Sequence, residues 1–179
     1  TNPGMVPNRV GHLLLGALQY VLPALVAERV LLALLVFGTG AGAWALARSL
    51  GSANPLILLV LPFTVNFMLV LGFHNFLLGV ALALLFAAAW INLRRLTWKP
   101  LVLLLVGGLL LFYTHTTALA LFLLLLGAYE AALFFGLKER TTSLPGGRWG
   151  SIALVLAACL PAVLLFLDFN AAQQSAWGI

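Results

Sequence analysis

Two short stretches gather the side chains most able to do chemistry. Gly72-Phe-His-Asn-Phe76 puts an imidazole and a carboxamide, His74 and Asn75, into one turn. Tyr113-Thr-His-Thr-Thr117 puts a phenol, three threonine hydroxyls and a second imidazole, His115, into another. Asp168 and Asn170 close the last apolar run, and Thr64 and Asn66 lie roughly two to three helical turns below His74. Such groups hydrogen-bond sugar hydroxyls and phosphate oxygens, and His and Asp can also hold or move a proton. His74, His115 and Asp168 are metal ligands by type. No local spacing supports a metal site, however, and no cofactor is expected. The chain contains no phosphate-binding loop, nucleophile elbow, HExxH or GxGxxG.

The elements that must position these groups belong to lipid. Of 179 residues, 64% are apolar and 7% are charged, against a usual charged share of about 25%. So few charges cannot cover the surface of a soluble domain of this size. That excludes a soluble enzyme, a nucleic-acid-binding domain and a disordered tail. The net charge of +5 does not rescue the nucleic-acid reading, because the basic residues sit in short gaps between apolar runs. Cys159 is the single cysteine, so no disulfide can form within the chain.

The expected architecture is all-α, a polytopic transmembrane helix bundle. Six runs are apolar all round and approach the ~20 residues a spanning helix needs. They are Val30–Ala47, Pro55–Leu71, Asn75–Leu93, Pro100–Tyr113, Thr116–Gly136 and Ser151–Phe169. A seventh, Val10–Val26, carries His12, Gln19 and Pro23 and is expected to be interfacial or re-entrant rather than spanning. The organisation is therefore an outer-face segment over 1–29, a six-span domain over 30–169 and an outer-face tail over 170–179. The chain begins with Thr1 and has no basic leader, and it reads as a piece of a longer membrane protein. Ser143-Leu-Pro-Gly-Gly147 reads as a loop and Gly72 as a tight turn.

Orientation follows from arginine and lysine. Gaps on one side hold Arg48, Arg94, Arg95, Lys99, Lys138, Arg140 and Arg148, while the His74 and His115 turns and the C-terminal tail hold none; Arg29, and Arg9 if the first run does not span, fall on that second side. The positive-inside rule assigns the basic side to the cytoplasm, in a multi-pass cytoplasmic (inner) membrane protein with the His74 and His115 turns outside. Trp44, Trp90, Trp98 and Trp149 fall near the basic gaps, where indole rings favour the headgroup level.

Several features carry two readings. Gly38 and Gly42 stand four apart, either as a close helix crossing or by chance in a glycine-rich chain. The polar groups Tyr113, Thr116, His74, Asn75, His115 and Asp168 either line a ligand cavity open to the outside or are turns that simply meet water. Sixteen residues separate His115 from Lys99, about 24 Å of helix, whereas twenty-three separate it from Lys138, about 34 Å. A Pro100–Tyr113 run too short to span would leave His115 in a water-filled recess. Glu130 lies inside an apolar run, where a carboxylate costs about 2.5–3.5 kcal/mol at mid-membrane. Either it sits near the interface with Arg94, Arg95, Lys99 or Lys138 as partner, or it relays a proton or substrate.

A series of motifs carries a resemblance. Pro7-Asn8-Arg9-Val-Gly-His-Leu-Leu-Leu is followed by Ala27-Glu-Arg-Val-Leu-Leu-Ala-Leu and Ala45-Leu-Ala-Arg48, then by Leu71-Gly-Phe-His-Asn-Phe-Leu-Leu-Gly-Val80, then by a basic gap at Arg94-Arg95 and a span ending in Tyr-Thr-His115. Over residues 5–125 the chain is similar to the GT-C class of polytopic membrane glycosyltransferases and their bacterial relatives. The resemblance implies an enzyme that takes a sugar from a polyprenyl-phosphate donor at the outer face. The acceptor would be a glycan, lipid or protein. The acidic residue such enzymes use precedes the matching stretch, so no catalytic residue carries over. His74, Asn75 and His115 would contact phosphate or sugar hydroxyls. The alternatives are a transporter or permease, which calls for broken helices and paired half repeats, and a non-catalytic membrane scaffold.

Overall fold

The computed structural model describes residues 7–52, 54–65, 69, 72–93, 99–137 and 147–177. They form helices and turns, with no strand among the described residues. The helices are α1 (Val10–Gln19), α2 (Ala24–Ser49), α3 (Val60–Thr64), α4 (His74–Leu93), α5 (Lys99–Thr114), α6 (Thr116–Phe134) and α7 (Gly147–Trp177), with a 3-10 stretch, Pro55–Leu59, leading into α3. Four are long and apolar enough to cross a membrane: α2, α4, α6 and the Ile152–Gln174 part of α7. The chain is therefore a multi-pass membrane protein whose solvent is a bilayer.

Six long spans are not what forms. Pro55–Leu71 was expected as one helix, but its described part is a five-residue 3-10 stretch and a five-residue α-helix. Two prolines explain the difference. Pro55 starts the 3-10 stretch behind the Asn54 cap, whose Oδ1 accepts from Leu56 N at 3.0 Å. Pro62 lies in the first turn of α3 and has no N–H to offer Leu58 O, so the 3-10 stretch and α3 do not run on as one α-helix, and α3 ends at Thr64, where Val65 turns to ψ 77°. Asn66 lies outside the described residues. The Pro100–Tyr113 run forms a helix of 16 residues, Lys99–Thr114, about 24 Å, short of a ~30 Å hydrocarbon core.

Packing fixes the directions. Gly38 faces Ala81, Gly42 faces Leu84, and Ser49 bonds to Ala88 and Asn92, so α2 and α4 run parallel. Gly79 meets Ala118, Phe86 meets Phe122 and Trp90 meets Glu130, so α6 runs parallel to both. Gly107 lies on the Phe86 ring while Thr114 reaches Gly79, so α5 runs the opposite way. Two parallel neighbours need a return passage. The chain from Ser49 to His74 therefore travels from the Arg48 end of the bundle to the His74 end, with Pro55–Leu59, Val60–Thr64 and Leu69 described as helical between α2 and α4.

The same register settles α1. Leu31 is level with His74, so α2 begins at Ala24 about 10 Å beyond it. The segment before α1 is bonded to Asn75 and Tyr113, also at the His74 end. The chain from Asn8 to Ala24 thus starts and finishes at one end of the bundle, and α1, with ten residues, does not traverse it. Residues 24–29, expected in the outer segment, form the first turns of α2, with Glu28 and Arg29 exposed on its surface. Likewise α7 continues past residue 169 to Trp177.

The core is built where small residues let backbones approach. A Cβ on Gly42 would lie 2.8 Å from Leu84 Cβ and 3.0 Å from the Ala81 carbonyl. Phe112, Phe122, Trp90, Leu104 and Leu111 fill the space among α4, α5 and α6 with no exposure above 0%. α2 and α6 both stop at the Arg48 end in the same way. Gly51 and Gly136 take positive φ, and Ser52 N and Leu137 N reach back to Ala47 O and Ala132 O, each at 2.9 Å. Ser143–Gly146 and the basic residues Arg94, Arg95, Lys138 and Arg140 lie outside the described residues, as does Trp98 and the side chains of Arg148 and Trp149.

Candidate functional site

The His74 end brings together three stretches that are far apart in sequence. Asn75 sits in the first turn of α4, where its carboxamide projects toward the N-terminal segment. Its Oδ1 accepts from Gly11 N at 2.6 Å, and its Nδ2 donates to Asn8 O at 2.8 Å. The first bond satisfies one of the orphan N–H groups of α1, a task usually done by the helix's own cap residue. Arg9, at that cap position, makes no side-chain cap bond. Instead Arg9 N donates to Tyr113 O at 2.9 Å, tying the same segment to the end of α5.

His115 joins α5 to α6. It is extended, with φ −167°, and its Nδ1 accepts from Thr117 N at 3.2 Å, capping α6. Its ring meets Phe76 edge-on, with centroids 5.4 Å apart. Partial burial pushes the imidazole below its usual pKa of 6.5, since desolvation disfavours the cation. The neutral ring is also what the cap requires, because a protonated Nδ1 cannot accept. Thr114 is buried and returns its hydroxyl to Leu110 O at 2.7 Å.

These bonds divide the candidate residues by role. The carboxamide of Asn75 and Nδ1 of His115 are engaged in holding the fold. Tyr113 is half-buried with its ring edge-on to Phe112 at 5.2 Å, and Thr116 is half-buried at the start of α6. His74 is half-exposed, and Arg9 and His12 are exposed on the segment folded over this end. Asp168 and Asn170 are exposed on α7. Among the described residues no hydrogen bond joins Asp168 to His74 or His115, and no group of three or more His, Cys, Asp or Glu side chains could hold a metal. Thr64 is buried, with its hydroxyl on Leu61 O at 2.6 Å.

The Arg48 end holds the groups that sequence reasoning placed least well. Trp90 faces the core with 0% exposure, and its Nε1 donates to Glu130 Oε1 at 3.1 Å. Glu130 is itself 5% exposed. The expected cationic partners of Glu130 were Arg94, Arg95 and Lys138, outside the described residues, and Lys99, which is exposed at the start of α5. Its indole partner lies forty residues away, and no local pattern could have indicated it. Trp44 matches its sequence position better, half-buried with the Arg48 guanidinium 5.8 Å over its ring. Asn92 Nδ2 donates to Ser49 Oγ at 2.8 Å, closing the α2–α4 seam at this end.

Gly38 and Gly42 both lie on that seam, Gly38 in ordinary contact at 3.5 Å from Ala81 and Gly42 in a tighter one. Gly11 and Gly79 are two further glycines that spacing did not single out. The first sits beneath Asn75 and the second beneath Ala118. No protein-family model, curated protein or solved structure matches this chain.

Proposed function

We propose that this chain is part of a glycosyltransferase-like membrane protein that uses a polyprenyl-phosphate-linked sugar at the outer face of the inner membrane. One observation carries the reading. Three of the motifs that carry the GT-C resemblance, Pro7–Leu15, Gly72–Phe76 and Tyr113–His115, meet at one end of the bundle through Asn75, Arg9 N and the Phe76–His115 contact. The orientation from arginine and lysine makes this the outer end. In this reading Asn75 and His115 hold the platform, and His74 and Arg9 face the donor phosphate. Acceptor attack at the anomeric carbon would then release polyprenyl phosphate. The base for that step is not assigned to any residue of this chain.

The test is sugar transfer from a labelled polyprenyl-phosphate donor by the full-length protein in membranes. His74→Ala should lower transfer at least about tenfold, the effect of losing one charge-assisted hydrogen bond, while protein level stays unchanged. Unchanged transfer would remove His74 from the site. No lipid-linked sugar consumed by the wild type would remove the reading itself. A reporter fused after Leu137 should be active only in the cytoplasm.

A permease is the second reading. The interrupted Pro55–Thr64 passage and buried Glu130 are features that transporters use. Its paired half is missing among the described residues. Loss of substrate uptake in Glu130→Gln vesicles with normal insertion would favour it.

A further inference from the structure

Helices α4 and α5 meet closely in the half of the bundle toward His115 and part in the other half. Gly79 lies against Thr114, and a Cβ on Gly107 would come within 3.2 Å of the Phe86 ring. Beyond that point neither helix has a glycine. A groove of about 310 Å³ opens there between Phe86 and Leu93 on α4 and Lys99, Val102, Leu103 and Val106 on α5. Phe86 and Leu93 are two helical turns apart, as are Val106 and Lys99, so the groove runs along the helices for about 10 Å. Val102 and Val106 are 45% and 56% exposed, and Phe86 is braced by Phe122 of α6, with ring centroids 6.2 Å apart. Since α4 is apolar and of spanning length, the groove opens into hydrocarbon. Gly107 is level with Phe86, which puts Lys99 level with the end of α4 at Leu93. The trough is therefore apolar along its length and cationic where the span ends.

The cation decides the occupant. Lys99 is exposed, and among the described residues no ion pair joins it to an acidic side chain. A lysine stem covers apolar surface while its ammonium stays at the boundary. A lipid with a net negative head complements both parts, its tail against Phe86 and Val106 and its phosphate at the ammonium. A neutral hydrocarbon would leave the ammonium without a counter-charge, and a zwitterionic head brings a cation of its own. We propose that this groove binds an acyl chain of an anionic phospholipid, with the lipid phosphate held by Lys99. The site lies at the opposite end from the sugar-transfer platform. It uses no residue of that platform and depends neither on the sugar-transfer reading nor on which leaflet this end faces.

Two phospholipids with the same photoreactive acyl chain test it on the full-length protein in nanodiscs, one with a phosphoglycerol head and one with a phosphocholine head. The anionic lipid should label peptides 86–93 and 99–106 about fivefold more than the zwitterionic one. Lys99→Gln should erase that preference and leave the labelling of α2 unchanged, whereas Lys99→Arg should retain it. Val106→Trp, which adds bulk to the groove, should lower labelling by both lipids. Soluble glycerol phosphate should not compete, because it has no tail to fill the trough. Equal labelling of the wild type by the two lipids would overturn the proposal without recourse to any variant. So would an undiminished preference in a folded Lys99→Gln protein. Competition by glycerol phosphate would make the ligand a free phosphate, and no label at these peptides from either lipid would give the groove to a protein partner; each result overturns the lipid assignment.

Discussion

The α2–α4 seam and the α6–α7 seam each join two helices long enough to cross a bilayer, and each has glycine on its inner face. Their outcomes are opposite. At the first, Gly42 lets the α4 backbone come within contact of α2, and Ser49 and Asn92 close the end with hydrogen bonds. At the second, Gly127 faces open space and leaves a groove. In lipid no hydrophobic force drives helices together, so close packing and interhelical hydrogen bonds decide which pairs seal. Glycine permits approach but does not compel it. A partner must also present small residues, as Ala81 and Ala88 do on α4, whereas α7 presents Val155, Leu156 and Leu160.

The sharpest way to break this comparison is to place the same side chain on both seams. Gly42→Leu must displace the Ala81 carbonyl and Leu84, and should destabilise by about 3 kcal/mol, the upper range for overpacking. Gly127→Leu should change stability by less than about 0.5 kcal/mol, as exposed substitutions do. Reversible unfolding in mixed micelles measures both, and equal losses would mean that the seams do not differ.

Trp90→Phe probes the bond that ties the tight side to the groove. It removes the indole N–H from a buried carboxylate and should lose about 1–3 kcal/mol. The double variant Trp90→Phe/Glu130→Leu should lose less than the sum of the two single losses, because their shared bond is removed only once. Additive losses would show that the bond contributes nothing to stability.

Asn75→Ala extends the test to the far end of α4. It removes two hydrogen bonds to the N-terminal segment, each worth about 0.5–1.5 kcal/mol. Amide exchange should rise at Gly11 while Gly107 on α5 keeps its protection. Uniform loss of protection would mean that the clamp supports the whole bundle.

His115 supplies a smaller, pH-dependent term. Its folded pKa lies below the unfolded value near 6.5, so the unfolded chain takes up a proton first as pH falls. The contribution is complete above about pH 6.5 and declines below it. His115→Asn keeps a capping side chain and should flatten stability between about pH 5 and 7 relative to wild type. The smallest effect expected is at Gly127→Ala, a gain of no more than about 0.5 kcal/mol from helix propensity with no clash.

Much of the fold was legible because it follows from composition and chain periodicity. Apolar runs broken by basic gaps specify membrane helices, and α2, α4, α6 and α7 lie where four of those runs predicted them. The run at Pro55–Leu71 is described only in part, and hydropathy did not foresee its break. Pro62 is apolar enough to count toward a span yet offers no N–H to Leu58 O, so the described part divides into a 3-10 stretch and a short α-helix. Residues Val10–Val26 were read as non-crossing from their polar content, and the register of α2 on α4 supplies the geometric reason.

The candidate site divides differently. The amino-acid sequence alone determined the solvent, the polar turns and the sign of charge at each end, because these depend on residue type and local spacing. Only tertiary structure decided that Asn75 caps α1 across 64 residues, that His115 caps α6 while touching Phe76, and that Trp90 meets Glu130 inside the core. Hydrogen bonds act over about 3 Å. Which atoms come that close depends on how the helices are stacked and in what register, and neither property belongs to any single stretch of chain.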